Sequence, residues 1–424
     1  AQYKGSLGAF AYSAALPSAN ENTTTFENDL VRLEISNKGG QIVEAELKKF
    51  KTFDSIPVYL VKDGNASFNI SFATTDNRNL NTQDLFFEPT LTKNGENQVL
   101  SMKLKVSNEK FLEYRYELKP DEYLVDFTVR SQGLNGVLNS SQPAQLDWKL
   151  NGIRHSRSIE YENRYTRLTY LHDGSVSKLS QGTSDDETDS NVSWISYRQH
   201  FFSSILINPD SFANVSMTSN QQFEDENPNE KYVKLYTAST PLEIKGGELN
   251  YNMHWYYGPT DARVFKKYKD LDLAESIPFG WGIFGFINKH VFTPLYDFLS
   301  SVFPYGIAII VMTIIVRIAL SPVTYKSYVS QAKMKVLKPE IDKINEKYKA
   351  KDPMKAQKET MGLYRKAGVN PMGGCLPMLV QVPFFIALYY VLIESVQLRH
   401  APFMLWIQDL SAPDPYFVSF IRFR

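Results

Sequence analysis

Residues 307–323 read IAIIVMTIIVRIALSPV, an almost wholly apolar run that a single charge, Arg317, interrupts. The stretch 304–323 holds six Ile, three Val and one Leu, which together favour membrane insertion by roughly 3–6 kcal/mol, whereas Arg opposes it by about 2.5–3.5 kcal/mol. A helix of this length crosses the hydrocarbon core of a bilayer. The sequence therefore predicts a transmembrane span at residues 303–323 that is weakened by its own arginine.

Two explanations of Arg317 remain open from the residues alone. It lies about 6 Å from the midpoint of the span at a rise of about 1.5 Å per residue, so its side chain could snorkel to the interface. Alternatively it faces a hydrated cavity in the bilayer, where ionisable residues usually mark a functional path. Thr313 lies one turn earlier on the same face, and Gln381 interrupts a second predicted span at residues 375–396. Arg317 and Gln381 are thus polar interruptions in two neighbouring spans, and this favours the cavity.

A strongly basic segment, residues 324–374, separates the two spans and contains 12 Lys/Arg against 5 Asp/Glu. Short basic loops stay in the cytoplasm, so the first span runs inward and the second runs outward. Apolar residues such as Leu337, Ile341 and Ile344 share a helical face until KDP at 351–353, which predicts an antiparallel helical hairpin. The candidate residues for contact with anionic lipid or ribosomal RNA are Lys333, Lys335, Lys338, Lys343, Lys347, Arg365 and Lys366. A merely solvated face is an equal alternative.

Residues 24–277 are predicted to form one β domain, because residues from about 24 to 260 show the period-two alternation of strands that have one buried and one wet face. The clearest examples are VRLEIS (31–36), VEAELKK (43–49), LSMKLKV (100–106) and YLVDFTV (123–129). Many such strands without long helices between them predict a large antiparallel sandwich outside the membrane. The polar, acidic stretch QGTSDDETDSN at 181–191 is predicted to be a surface loop.

The segments on either side of this domain have their own predictions. Residues 278–302 are rich in aromatics at helical spacing, which predicts an interfacial amphipathic helix kinked near Pro294, the alternative being a helix packed on the β domain. Residues 1–23 are predicted to be a linker, and a membrane anchor is expected before them because the β domain lies outside.

Composition excludes several classes of function. The formal net charge is zero, which argues against a general nucleic-acid binder, although residues from Trp281 onward carry 17 Lys/Arg against 9 Asp/Glu. Cys375 is the single cysteine, so an intramolecular disulfide is impossible. The sequence contains no P-loop, HExxH, CxxC or GxSxG motif, so no catalytic residue, metal or cofactor is predicted.

Four long strings resemble one family, the YidC, oxidase-assembly and Albino family of membrane protein insertases. They are NDLVRLEISNKGGQIVEAELKKF (28–50), VRIALSPVTYKSYVSQAKMKVLKPEI (316–341), GVNPMGGCLPMLVQVPFFIALYYVL (368–392) and LRHAPFMLWIQDLSAPDPY (398–416). The resemblance covers nearly the whole chain. It implies a multidomain fold, in which an all-β periplasmic supersandwich precedes an α-helical transmembrane region with a cytoplasmic helical hairpin. It also implies a multi-pass protein of the bacterial inner membrane.

The resemblance further implies an insertase and chaperone rather than an enzyme. A hydrophilic groove would receive nascent membrane proteins and release their apolar segments into the lipid bilayer. Carried over by position, the groove residues are Arg317, Thr313, Gln381, Val382, Pro383 and Phe385. The Sec translocon and the ribosome are the expected partners, with no specific nucleic-acid sequence. Further spans are expected after residue 416, so residues 397–424 are predicted to be an external loop and a truncated C-terminus.

The alternative function is a membrane-tethered periplasmic sugar-binding or mutarotase-like domain, because the family's β domain resembles mutarotase-like supersandwiches. It would require carboxylates and histidines that converge in a cleft of the β domain. The sequence does not assemble such a set, and this alternative leaves Arg317 and the basic hairpin unexplained.

Overall fold

A computed structural model describes residues 4–227, 229–280, 282–348, 352–368, 376–404, 407 and 409–411. The side chains of residues 376–378 and 380 lie outside the described set. The chain divides into two compact units, Ala1–Ile277 and Pro278–Arg424.

The first unit is built from antiparallel strands. They are β1 Thr23–Glu27, β2 Val31–Ser36, β3 Ile42–Lys51, β4 Pro57–Val61, β5 Ala66–Ala73, β6 Asn79–Asn81, β7 Glu88–Asn94, β8 Asn97–Lys105, β9 Phe111–Leu118, β10 Leu124–Gln132, β11 Ala144–Ile153, β12 Thr166–His172, β13 Ser175–Lys178, β14 Ser184–Gln199, β15 Phe202–Gln221, β16 Tyr232–Leu242 and β17 Asn250–Pro259. Its short α-helices are α1 Lys4–Leu7, α2 Ile159–Tyr165 and α3 Ala262–Phe265.

The strands form two sheets. One sheet has the order β1-β2-β3-β4. The other has the order β6-β5-β11-β16-β15-β17-β10-β9-β8-β7. Outside this order β14 pairs with β15, β12 pairs with β14, and β13 pairs with β12. This β-rich architecture confirms the fold class predicted for the N-terminal part of the chain.

Alternation along β2 shows how the sequence produces these sheets. Val31, Leu33 and Ile35 are fully buried, whereas Arg32 and Glu34 point to the other face and form an ion pair of 2.7 Å. Because successive side chains of a strand point to opposite faces, an alternating pattern fixes which face joins the core.

Aromatic side chains fill the core of the larger sheet. The rings of Trp148 and Tyr197 stack with centroids 3.7 Å apart, and Trp148 meets Trp255 edge to face at 5.0 Å. Phe127 stacks on Tyr116 at 4.8 Å. Such pairs contribute about 0.5–1.5 kcal/mol each beyond the burial of their area. The domain therefore depends on a connected aromatic core rather than on aliphatic residues alone.

One carboxylate on β9 is stabilised as an ion at the edge of this core. Glu117 accepts hydrogen bonds from Asn97 at 2.8 Å, from Asn94 at 3.1 Å and from Arg115 at 2.6 Å. The bond from Asn97 has the largest effect, and burial opposes it less strongly, so the pKa of Glu117 lies below its usual 4.5. Protonating this carboxylate therefore weakens the folded state.

The prediction of a surface loop at 181–191 is wrong for most of its length. Residues from Ser184 onward belong to β14, and Asp185 lies opposite Ser219 in the ladder with β15. This part of β14 buries few side chains, so it has no hydrophobic alternation, and its strand geometry comes from backbone pairing with β15. Its carboxylates also discourage other strands from pairing with the free edge.

The second unit is helical. Its helices are α4 Gly282–Ile287, α5 Thr293–Val302, α6 Tyr305–Tyr348, α7 Pro353–Lys366 and α8 Leu376–Glu394, with a π-helical turn at Asn288–Phe292 between α4 and α5. Phe292, Tyr296, Met312, Ala387 and Val391 belong to its buried core, which joins α5, α6 and α8.

Among the described residues, α6 is the one helix long and apolar enough to cross a membrane by length and composition. Only 22% of its most apolar 18-residue window is buried, whereas a core helix of a soluble protein would be mostly buried. The described side chains of α8 form a shorter apolar stretch, Gln381–Glu394. The second predicted span at 375–396 extends beyond the described side chains and stays a prediction.

The segment before α6 contains a change of helical register. The N–H of Thr293 bonds to the carbonyl of Asn288, five residues back, immediately before Pro294. Proline lacks the donor that would continue the ordinary ladder, and π-turns commonly accompany such interruptions. Phe286 and Phe298 are exposed on this segment, at 63% and 65% of their surface. Whether this apolar face lies in a membrane interface stays a prediction.

The helix α6 continues without a break from the predicted span into the basic segment and includes Pro322 and Pro339. It ends at Tyr348, and α7 begins after Asp352, whose carboxylate accepts the backbone N–H of Lys355 at 3.1 Å. Such N-capping explains why the KDP sequence starts a new helix. The second helix packs against the first.

Candidate functional site

A cavity of about 390 Å³ lies between α6 and α8. Its lining residues are Thr313, Val316, Arg317, Leu320, Ser321, Thr324, Tyr325, Tyr328, Gln381, Phe385 and Leu388. Of the six groove residues predicted from the sequence, the cavity brings together Arg317, Thr313, Gln381 and Phe385. The structure therefore places the two polar interruptions of the apolar helices beside the same space.

Arg317 is the only charged residue among those lining residues. It is exposed, and it makes no ion pair or hydrogen bond with any residue that the structure describes. A guanidinium has five N–H donors and cannot lose its charge in proteins. Its donors thus remain available to a group that enters the cavity.

Hydroxyl groups on α6 are tied to their own helix. Thr313 donates to the carbonyl of Ile309 at 2.8 Å, and Thr324 donates to the carbonyl of Leu320 at 2.9 Å. This back-bonding is common for threonine in helices and satisfies the hydroxyl proton within an apolar environment. The threonines therefore offer acceptor lone pairs rather than donors to the cavity.

A hydrogen bond joins the two helices across the cavity. The side-chain amide of Gln381 on α8 donates to the Thr324 hydroxyl on α6 at 3.3 Å. An amide between apolar helices is stabilised by such a partner, which explains how Gln381 is accommodated in α8. The carbonyl oxygen of the same amide can accept a hydrogen bond from a group in the cavity.

Two predicted groove residues, Val382 and Pro383, do not line the cavity. They directly follow Gln381 on α8, and a helix turns about 100° per residue, so they face away from it. Their role in contacting a substrate stays a prediction.

The sequence reasoning missed two tyrosines that extend the cavity along α6. Tyr325 and Tyr328 are 71% and 65% exposed, and both line the cavity beyond Thr324. A signal was present, because Arg317, Thr324 and Tyr328 follow one another at intervals of seven and four residues, which return to the same helical face. Following the helical repeat along α6 from Arg317 would have predicted this stripe of polar and aromatic residues.

The seven hairpin cations predicted to form the binding surface are exposed. They are Lys333, Lys335, Lys338, Lys343 and Lys347 on α6, and Arg365 and Lys366 on α7. Lys347 lies 5.1 Å from the ring centroid of Tyr348 at the end of α6. Their exposure is compatible with either a binding role or simple solvation, so that prediction remains open.

The β domain offers little support for the mutarotase-like alternative. His155 and Glu162 lie 3.6 Å apart, but the side chain of each is only 1% exposed. Glu162 accepts the backbone N–H groups of His155 at 2.9 Å and Ser156 at 2.7 Å, so it anchors a turn. Among the described residues no group of three His, Cys, Asp or Glu side chains could hold a metal ion.

Comparison with known proteins identifies two adjoining family matches. The profile described as "YidC periplasmic domain" matches residues 23–294, and the profile described as "60Kd inner membrane protein" matches residues 296–423. The protein named "Membrane protein insertase YidC" from Parabacteroides distasonis is 40% identical over 411 residues, which is 94% of this chain and 64% of that protein. The protein of the same name from Phocaeicola vulgatus is 38% identical over 414 residues, covering 93% of this chain and 64% of its own length.

The chain thus spans about 64% of the length of the curated relatives it matches. A solved structure titled "Active YidC insertase crystal structure with the first transmembrane domain resolved" aligns with 93% of this chain and 77% of its own. Its sequence identity is 18% and the TM-score is 0.35, a likeness too loose to locate individual residues.

Proposed function

Since the chain belongs to the YidC family of inner membrane proteins, we propose that it carries the substrate-receiving part of a membrane protein insertase. One observation supports this proposal above the others. The cavity between α6 and α8 combines a guanidinium, an amide and aromatic rings, and α6 is apolar and long enough to cross a membrane. A charge in such a place usually serves function rather than stability.

In this proposal Arg317 attracts the polar or acidic tail of an incoming protein. A positive charge exerts a stronger field in the low dielectric of a membrane than in water. Arg317 has no partner among the described residues, so its attraction is not cancelled by a nearby carboxylate. The charge would therefore lower the barrier to bringing a hydrated tail into the bilayer.

Release into lipid follows from ordinary hydrophobic transfer. The apolar segment of the substrate moves past Phe385 and Leu388 on α8 and enters the acyl chains, which favour each buried CH₂ group by about 0.8 kcal/mol. No nucleotide is required for this step, because the free energy comes from removing apolar surface from water. The role is that of an insertase and chaperone, without covalent chemistry.

The basic hairpin would help to receive substrate on the cytoplasmic side. Its exposed lysines suit anionic lipid and ribosomal RNA, both of which bind cations through phosphate groups. The proposed location is the bacterial inner membrane, with more than one span and the β domain in the periplasm. Nascent membrane proteins and the lipid bilayer are the proposed partners, together with the Sec translocon and the ribosome.

Site-specific photo-crosslinking tests this proposal in the full-length protein. A photoreactive residue at Thr313 faces the cavity, and a matched control at Ile315 lies about 200° further around α6, outside the lining residues. A single-span membrane protein is then stalled during its synthesis on the ribosome. Crosslinks from position 313 but not from 315 are expected. Equal labelling at both positions, or none at either, would contradict the proposal and favour an arginine that only snorkels.

A further inference from the structure

One face of the β12–β14 ladder brings several cationic side chains together. In the antiparallel register Arg167 on β12 lies directly opposite Arg198 on β14, and Thr169 lies opposite both Ser196 on β14 and Lys178 on β13. Residues opposite each other in a ladder, and those two apart in a strand, point to the same face. This face therefore holds three cationic side chains around two hydroxyl groups.

The arrangement works against the stability of the sheet. Like charges directly opposite each other destabilise an antiparallel pair. Burial, and then the charge of Arg198, lower the pKa of Arg167, while burial and the charges of both arginines lower the pKa of Lys178. Arg167 and Lys178 are thus less stable as ions because of their surroundings.

A fourth cation adds to the positive field from β16. Lys234 is fully buried, and its ammonium donates to the carbonyls of Gln181 and Gly182 at 3.3 and 3.2 Å. Burial and the charge of Arg167 lower its pKa to about 8, although Asp185 partly opposes this effect. Lys234 is held by the chain itself, so it contributes charge rather than a free donor.

Several polar atoms on this face have no partner in the part of the chain that the structure describes. Arg167 and Lys178 form no hydrogen bond or ion pair with any described residue. The Arg167 Nε atom and the hydroxyl oxygens of Thr169 and Ser196 are also buried without a hydrogen-bond partner among the described atoms. Leaving a buried polar group unsatisfied destabilises the folded state, so a cluster of such groups requires an explanation. Arg198 differs, because its Nε donates to the carbonyl of His200 at 3.2 Å.

We propose that this face binds an oxyanion, a phosphate or carboxylate group, between Arg167 and Lys178. A bound oxyanion would neutralise the opposed charges and accept the unused N–H donors of Arg167. The planar guanidinium fork suits the two oxygens of either group, and Lys178 supplies a second charge from the neighbouring strand. The site lies in the first unit and does not depend on the insertase proposal.

The test is calorimetric titration of the whole chain in detergent with inorganic phosphate and, separately, with acetate at constant ionic strength. Arg167→Gln and Lys178→Gln each remove one proposed contact. Lys149→Gln is the matched control, because Lys149 is exposed on β11 and lies outside the group. Phosphate or acetate should bind the unaltered chain and the control, and at least about tenfold more weakly to the two site variants, since a charge-assisted hydrogen bond is lost.

The anion that binds more tightly identifies the ligand as phosphate-like or carboxylate-like. A second measurement separates a binding site from a purely structural cluster. Without added anion, Arg167→Gln should raise the melting temperature because it removes like-charge repulsion, whereas a structural arginine would lower it. If Arg167→Gln fails to fold, the exposed Lys178 still provides the binding test. Absence of binding to the unaltered chain, or equal binding by all variants, would overturn the proposal.

Discussion

Replacing Arg317 with leucine is expected to improve the insertion of this chain into the membrane while impairing its activity. On an insertion scale Arg opposes the membrane by about 2.5–3.5 kcal/mol and Leu favours it by about 0.3–0.6 kcal/mol, so the exchange gains about 3–4 kcal/mol. If Arg317 served only membrane topology or were present by chance, its replacement by leucine would leave the insertase activity intact or raise it. If Arg317 attracts substrate, the same replacement lowers the activity.

The size of the cavity gives the scale of the functional loss. A sphere of 390 Å³ has a radius of about 4.5 Å, so a carboxylate inside it would lie about 5–9 Å from the guanidinium, where the attraction is about 2–3 kcal/mol at an effective dielectric constant of about 20. This free energy corresponds to a change of roughly 30- to 150-fold in rate or binding. A substrate with a neutral tail should lose less.

The assay is protease-protected insertion of a single-span substrate into proteoliposomes that contain the full-length protein. The substrate is used with an acidic tail and with the same tail converted to amides. Arg317→Lys should retain most of the activity because it keeps the charge. Lys326→Gln is the matched control, since it removes one cation from α6 outside the lining residues. Undiminished insertion of the acidic substrate by Arg317→Leu would refute the electrostatic role.

Three further predictions concern stability and environment. Met312→Ala should destabilise the helical unit by about 2–5 kcal/mol in denaturation experiments, because Met312 is fully buried in its core, and an unchanged midpoint would contradict that packing. The depressed pKa of Glu117 gives stability that is present above pH 4.5 and is lost as the pH falls through the folded-state pKa, so Glu117→Gln should show a shallower loss of unfolding free energy below pH 4.5 than the unaltered chain. The third prediction uses a chain with Cys375→Ser that carries one spin label on the exposed apolar face of α5. A label at Phe298 should be more accessible to lipid-soluble oxygen than to a water-soluble relaxant, because this face is predicted to lie in the membrane interface. A label at the buried Leu299 is the control and should be accessible to neither reagent.

Hydrophobic periodicity predicted the strands that have one buried face. Val31, Leu33 and Ile35 are the clearest case, because burial of every second side chain leaves a period of two in the sequence. Asp185 and its neighbours on β14 follow no such rule, since their strand is made by backbone pairing with β15. That pairing uses only backbone groups of the two consecutive strands, so it leaves no hydrophobic pattern in the sequence.

The candidate site was partly predictable for a similar reason. Arg317 and Gln381 could be identified because each is a polar residue within an apolar run. Such a residue is costly in a membrane and therefore indicates a functional role. Tyr325 and Tyr328 do not stand out, since tyrosine is common near membrane interfaces. The opposition of Arg167 and Arg198 could not be read from the sequence, because it depends on the register between two strands.

Because α6 is unbroken, a force on one end of the helix can be transmitted to the other end. Its 44 residues extend about 66 Å, roughly twice the thickness of the hydrocarbon core. Pro322 lies near the C-terminal end of the predicted span and cannot donate to the carbonyl of Ile318, so bending is easiest there. From Pro322 to Tyr348 the arm is about 39 Å long, and a tilt of about 10° would carry its tip about 7 Å. A small force on the distant end would thus be converted into torque on the turn that holds Arg317.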